Sequence, residues 1–364
     1  MKKGILLLHG WLGLVAGLVF IVVGSTGALM AFEPQILRLL NPGVLTLDDN
    51  RSPVLSPAAL YAAVSQTSPD RPIQALTVSG RADRPSQVTF VKVGNAKGES
   101  VLVHPSTGAV LPEVRGEETF ELIEGLHRRL LLDDVGKAVT GVSAIILIVM
   151  AFSGITLRWL RRPRETRYWL LLRPGLKGRA FYWQLHAVAG TWVFLLLAFS
   201  ASTGLSWSYD SYKAAIYRAL DVELPAKPKA PDVLPPVLPA AEFAARVDAG
   251  WSVFSAQVPA YDRAVIALKS LKDGEVKVEY YDADLAHDRE KHELLVAADG
   301  SVAKHLRFEQ RPQGEQLTAA WKMLHTGQYW GWSGQLMLLF SSLALPAFAI
   351  IGAYLFVTGR RRRA

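Results

Sequence analysis

The 364-residue chain is half apolar with a mean hydropathy of +0.20, too greasy for an ordinary soluble enzyme and too polar for a chain made only of membrane helices. Its net charge of +8 would suit nucleic acid or an acidic membrane surface, and the placement of the charges decides for the membrane. Cysteine is absent, which excludes disulfides, thiolate iron–sulfur ligation and covalent c-type haem attachment; a redox centre here must use His, Met, Tyr or carboxylate.

Residues 4–32 carry no Asp, Glu, Lys or Arg and exceed the roughly 20 residues needed to cross hydrocarbon. The run is too long for the apolar core of a signal peptide and its pattern recurs later, so it reads as a retained helix. His9 lies near its start. A polar segment, 33–137, follows. Within it Ser56 and Pro57 open a short helix over AALYAAVSQ as N-cap and first helical residue. QVTFVKV and SVLVH alternate like strands, and VLVHPSTGAVL carries a hairpin signal with glycine at the turn. EETFELIEGLHRRLLLD, with Phe120, Ile123, Leu126 and Leu130 at helical spacing, reads as an amphipathic interfacial helix bearing His127.

A second charge-free run covers 138–157. The loop behind it gathers Arg158, Arg161, Arg162, Arg164, Arg167, Arg173, Lys177 and Arg179 against Glu165 alone. The third run, 180–209, holds His186. The next polar segment, 210–322, has a Pro-rich stretch at 225–239 expected to be stiff and extended. A helix over AAEFAARVDA, strands in AVIALK and EVKVEYY, and a hairpin in LLVAADGSVAKHLRF come next. EQLTAAWKMLHTGQYW forms the second interfacial helix, bearing His325, ahead of the fourth run at 323–358, where Pro346 is expected to introduce a kink. Lys2 and Lys3 precede the first run, and Arg360, Arg361, Arg362 and Arg363 close the chain. By the positive-inside rule both termini and the short loop are cytoplasmic, and the two long segments lie on the far side. The rest of the chain holds 26 basic against 31 acidic residues, so the basic character is topology and not nucleic-acid binding.

The chain is written twice. With His9 aligned on His186, Leu precedes each, Gly13 and Gly190 follow at +4, and Ser25-Thr26-Gly27 matches Ser202-Thr203-Gly204. With His127 aligned on His325, Gly136 matches Gly334 at +9 and Gly154 matches Gly352 at +27. A tandem duplication of a two-helix unit follows. It places one histidine pair at each membrane face, both drawn from equivalent positions. A histidine in a membrane is costly without a partner, and two imidazoles from facing helices can grip one iron axially. The pairs therefore read as ligands of two b-type haems: His9 with His186 on the inner side, His127 with His325 on the outer. Glycines at +4 and +18 lie on nearly the same helical face as the inner histidines and leave room for a flat macrocycle; close helix packing explains the glycines alone. Arg128 and Arg129 are placed to meet the outer haem's propionates, or are solvated interfacial charges. His104 reads as a surface residue, His287 and His292 (HDREKH) as a charged loop, and His305 has no evident partner.

These residues resemble the PepSY-associated transmembrane (PiuB-like) family, which includes FoxB-type ferric-siderophore reductases of bacterial inner membranes. The likeness rests on the LH-x3-G openings of spans one and three, the LH segments before spans two and four, and two PepSY-like outer segments. HPSTGAVL matches the family's strand-turn, with His104 where Asp is more usual; AADGSV is a looser match. The resemblance implies a membrane α-helical fold of four transmembrane helices with two small α+β, PepSY-like periplasmic domains. The expected order is helix 4–32, periplasmic domain 33–116, interfacial and transmembrane helix 117–160, basic loop 161–179, helix 180–209, linker and second periplasmic domain 210–313, interfacial and transmembrane helix 314–358, and tail 359–364. It also implies a two-haem b conduit passing electrons across the inner membrane to reduce ferric siderophores in the periplasm. The donor, a quinol or a cytoplasmic reductase, lies outside the chain, since no flavin, nicotinamide or phosphate-binding fingerprint is present. Three alternatives stay open: a haem-free PepSY-type binding or regulatory protein, a transporter, and a haem-containing quinol oxidoreductase with another acceptor.

Overall fold

The computed structural model describes residues 2–48, 52–92, 99–226, 231–271, 274–283 and 290–361. The elements run α1 (Lys2–Met30), α2 (Glu33–Leu40), α3 (Pro57–Thr67), β1 (Ile73–Ser79), β2 (Ser86–Phe90), β3 (Ser100–Val103), α4 (Glu117–Arg129) and α5 (Asp133–Leu160). The second half follows with α6 (Gly178–Ser208), α7 (Asp210–Ala219), α8 (Ala240–Gln257), β4 (Arg263–Ala267), β5 (Val276–Tyr281), β6 (His292–Val296), β7 (Val302–Leu306), α9 (Gln313–Thr326) and α10 (Gly331–Arg361). They fall into two units, each continuous in space but not in sequence.

The first unit is a helical bundle. Among the described residues four helices are long and apolar enough to cross a membrane: α1, α5, α6 and the stretch Gln328–Gly359 that ends in α10. α1 packs on α5 and α10, and α6 packs on the same two, so the four close a ring. Ala16, Phe20, Leu197 and Leu345 fill its middle. α10 runs unbroken through Pro346. Proline cannot donate to the carbonyl four residues back, that of Ser342. Gly24 of α1 lies against this carbonyl, where a Cβ would stand 2.7 Å from its oxygen. Near the end of α1, Gln335 donates to the carbonyl of Ala31 at 2.6 Å.

The turns into α5 and α10 share one construction. Gly136 backs onto the carbonyl of Arg129, and Gly334 onto the carbonyl of Gly327, so close that a Cβ at either glycine would overlap the oxygen. Leu130, Leu131 and Asp133 take positive φ in the first turn, while glycines at 327 and 331 do so in the second. The repeated +9 glycines thus let the chain fold back between each interfacial histidine and the following span.

The second unit corrects the expectation of two separate outer domains at 33–116 and 210–313. Their strands form one antiparallel sheet in the order β3-β2-β1-β4-β5-β6-β7. β1, which has no place in the sequence reading, pairs with β4, so that Leu76 faces Ile266 and Val78 faces Ala264. Helices α3 and α8 contribute to the same core. Tyr61 stacks on Phe243 at 4.2 Å and its hydroxyl donates to the carbonyl of Leu238 at 2.7 Å. Either half alone would leave a central strand edge unpaired, and edges of that kind are sticky. Ser56 caps α3 as read, accepting from the Ala59 N–H at 3.3 Å. Both hairpins form as read, with Gly108 and Gly300 in the left-handed conformation their turns require.

His292 also departs from its reading as part of a charged loop: it sits in β6, fully buried. Its Nδ1 accepts from the Phe308 N–H at 2.9 Å, and Nε2 lies 3.4 Å from Asp282, which also binds Arg307. His305, without an evident partner in sequence, meets the Tyr280 hydroxyl at 2.6 Å. His287 and residues 227–230 of the Pro-rich stretch lie outside the described residues. Burial holds His292 below its ordinary value of 6.5, against the raising influence of Asp282. Above that value both folded and unfolded states are neutral. As pH falls through it the unfolded chain takes up a proton first, so stability declines. Hydrogen exchange of β6 in the full-length protein, corrected for intrinsic rates, should therefore speed up between pH 7.5 and 5.5, and H292Q should abolish that dependence. A β6 protection factor equal at both pH values in the unaltered chain would refute it.

Candidate functional site

The bundle brings the four singled-out histidines together in two pairs. The ring centroids of His9 and His186 are 6.3 Å apart with planes at 86°. Those of His127 and His325 are 6.4 Å apart with planes at 66°. His9 lies near the start of α1 and His127 meets the other end of that helix, so the pairs occupy opposite ends of the bundle.

Each ring faces a glycine on a different helix. A Cβ at Gly154 would stand 3.2 Å from Cε1 of His9, at Gly27 3.0 Å from His127, at Gly204 3.3 Å from His325, and at Gly352 3.8 Å from His186. These are the +27 and +18 glycines of the repeat. Gly27 and Gly204 therefore serve the opposite pair and not, as their spacing suggests, the histidine at the start of their own helix. The +4 glycines do serve their own pair: Gly13 and Gly190 line a cavity of about 460 Å³ together with His9 and His186.

Hydroxyls beside the glycines fix the ring nitrogens. Ser153 lies 2.8 Å from Nδ1 of His9 and donates its own hydrogen to the carbonyl of Met150. Thr203 lies 2.8 Å from Nδ1 of His325 and donates to carbonyls one turn back. With its hydrogen on a carbonyl, each hydroxyl is placed to accept from an Nδ1–H. Nδ1 of His127 donates likewise to the carbonyl of Val23, 3.0 Å away, beside Thr26. With the proton on Nδ1, Nε2 of these three rings keeps its lone pair for a ligand; Nδ1 of His186 has no partner among the described residues.

Three arginines that the sequence reading assigns to topology alone line the same cavity: Arg158, Arg161 and Arg179. Arg158 is 5% exposed. Its guanidinium reaches the carbonyl of Tyr168, and its Nε is buried without a partner. A buried cation of this kind calls for an anion. Arg179 donates to Thr358 and to the carbonyl of Leu355, each at 3.1 Å. The available signal was the spacing of Arg158, one turn beyond Gly154. By contrast Arg128 pairs with Glu124 on its own helix and Arg129 is exposed.

The cavity is the size of a small-molecule or cofactor site. Its free imidazole nitrogens, missing side chains and buried guanidinium suit a flat, metal-bearing dicarboxylate. Among the described residues no three His, Asp or Glu side chains converge on one point, so a metal at either pair would bring its other ligands with it.

The fold and these pairs define an integral membrane protein built from a four-helix bundle and a shared antiparallel sheet. The chain belongs to the family of the PepSY-associated TM region, whose profile matches residues 6–358. No match is found among the curated proteins.

Proposed function

We propose that the protein is a di-haem b oxidoreductase of the bacterial inner membrane, a ferric-chelate reductase that passes electrons to ferric siderophores in the periplasm and releases Fe(II). The separation of the paired rings carries this reading. The ring centroids stand 6.3 and 6.4 Å apart, a separation at which two imidazoles would hold one metal ion between them. When bound, haem b supplies one-electron transfer.

The chain's own residues do the rest. His9 and His186 would hold the cytoplasmic-side group, His127 and His325 the periplasmic-side one. Ser153, Thr26 and Thr203 keep the ring protons on Nδ1. Arg158, Arg161 and Arg179 would neutralise carboxylates at the cytoplasmic end, on the side the basic loop assigns. Phe20, Leu197 and Leu345 exclude water between the pairs. The acceptor follows from chemistry: hard oxygen donors grip Fe(III) more tightly than Fe(II), so one added electron loosens the chelate.

The test is an absorbance spectrum of the detergent-purified chain, oxidised and then dithionite-reduced, with haem quantified. About two haems per chain and reoxidation by a ferric siderophore, with Fe(II) trapped by a chromogenic chelator, are expected. A colourless protein after haem-replete expression would leave only a binding or transport role. Loaded haems that ferric siderophores cannot reoxidise would overturn the acceptor and favour a quinol oxidoreductase.

A further inference from the structure

Three of the four ring-facing glycines follow a hydroxyl residue: Thr26-Gly27, Ser153-Gly154 and Thr203-Gly204. The fourth follows Ile351. The repeat makes this a replacement, because Ile351 stands as far beyond His325 as Ser153 stands beyond His127. The effect falls on His186. Its Nδ1 is buried and meets no hydrogen-bond partner, and its ring lies edge-on to Phe348 at 4.9 Å.

We infer that His186 is the weaker-donating ligand of its pair, and that Ile351, by denying its Nδ1–H an acceptor, makes this the more oxidising of the two iron sites. The inference rests on the reading of the pairs as haem ligands. An imidazole that shares its Nδ1 proton with an acceptor gains electron density at Nε2 and stabilises the ferric ion. One without an acceptor donates less, which favours the ferrous ion. Both ligands of the second pair have such partners. The first pair has one, at His9. Ile351 and Ser153 are thus tuning positions that never touch the iron, and they act on one site only.

The experiment is an optical redox titration of the full-length, haem-loaded protein, comparing it with I351S, I351T and S153A. A hydroxyl at 351 should lower the higher of the two midpoints, shifting the ferric-to-ferrous ratio about tenfold at fixed potential, about 59 mV for one electron; a shift confined to the lower midpoint would overturn the assignment. S153A should raise that same midpoint, and the other should stay in place in all variants. Two haems in the unaltered chain with both midpoints unmoved by I351S and I351T would overturn the inference while leaving the ligand reading intact. Should neither 351 variant load haem, an unmoved midpoint in S153A overturns it equally. An unaltered chain without haem refutes the ligand reading first.

Discussion

Alanine at any one of His9, His186, His127 or His325 should lower the haem content of the purified chain from two to about one per chain. As proposed, each ring would supply one of two protein ligands, and no group of three or more His, Asp or Glu forms among the described residues. Loss of an axial ligand is a far larger change than loss of a supporting partner, which alone typically costs 10–100-fold in metal affinity. The pattern of loss is as informative as its size. H9A and H186A should delete the same spectral component, and H127A and H325A the other. A double H9A/H186A variant should be no worse than either single one, since residues acting on one site are not additive. Four single variants that all retain two full equivalents would show that the ligands lie elsewhere.

G136A and G334A should disable the second pair and spare the first. At each position a Cβ would collide with a backbone carbonyl, that of Arg129 or of Gly327, and backbone cannot step aside as a flexible side chain does. Overpacking of this sort costs about 1–3 kcal/mol even where side chains can adjust. Here the strain falls on the turn that sets His127 or His325 against its partner. The signature of that pair should fall by at least half. G4A, where a Cβ meets nothing within 4 Å, serves as the control. Equal loss from both pairs would mean general unfolding and refute the local account.

The parts legible in the sequence were those set by local pattern or by repetition. Charge-free runs at 4–32, 138–157, 180–209 and 323–358 find the four long helices because lipid demands uninterrupted apolar length. The recurring Leu-His and glycine spacings find both histidine pairs because matching positions along the chain meet across the bundle. Strand pairing was not legible. β1 joins β4 across a gap of roughly 190 residues, and alternation within a strand does not say which edge it will meet. Nor was the place of Arg179 in the cavity visible, because charges at a helix end look alike whether they face water or a cavity. The hydroxyls that orient the rings lie on other helices, so only the helix register reveals them.

The β1–β4 seam also fixes an order of events during synthesis. β1 is complete once the chain has passed residue 79, yet its partner β4 begins only at Arg263. At translation rates of about 5–20 residues per second, the first half of the sheet waits roughly 10–40 seconds with the β4-facing edge of β1 unpaired. Two further long apolar helices, α5 and α6, must be made in that interval. The nascent chain therefore carries an open template for strand addition through much of its assembly, and a chain truncated after α6 would keep it.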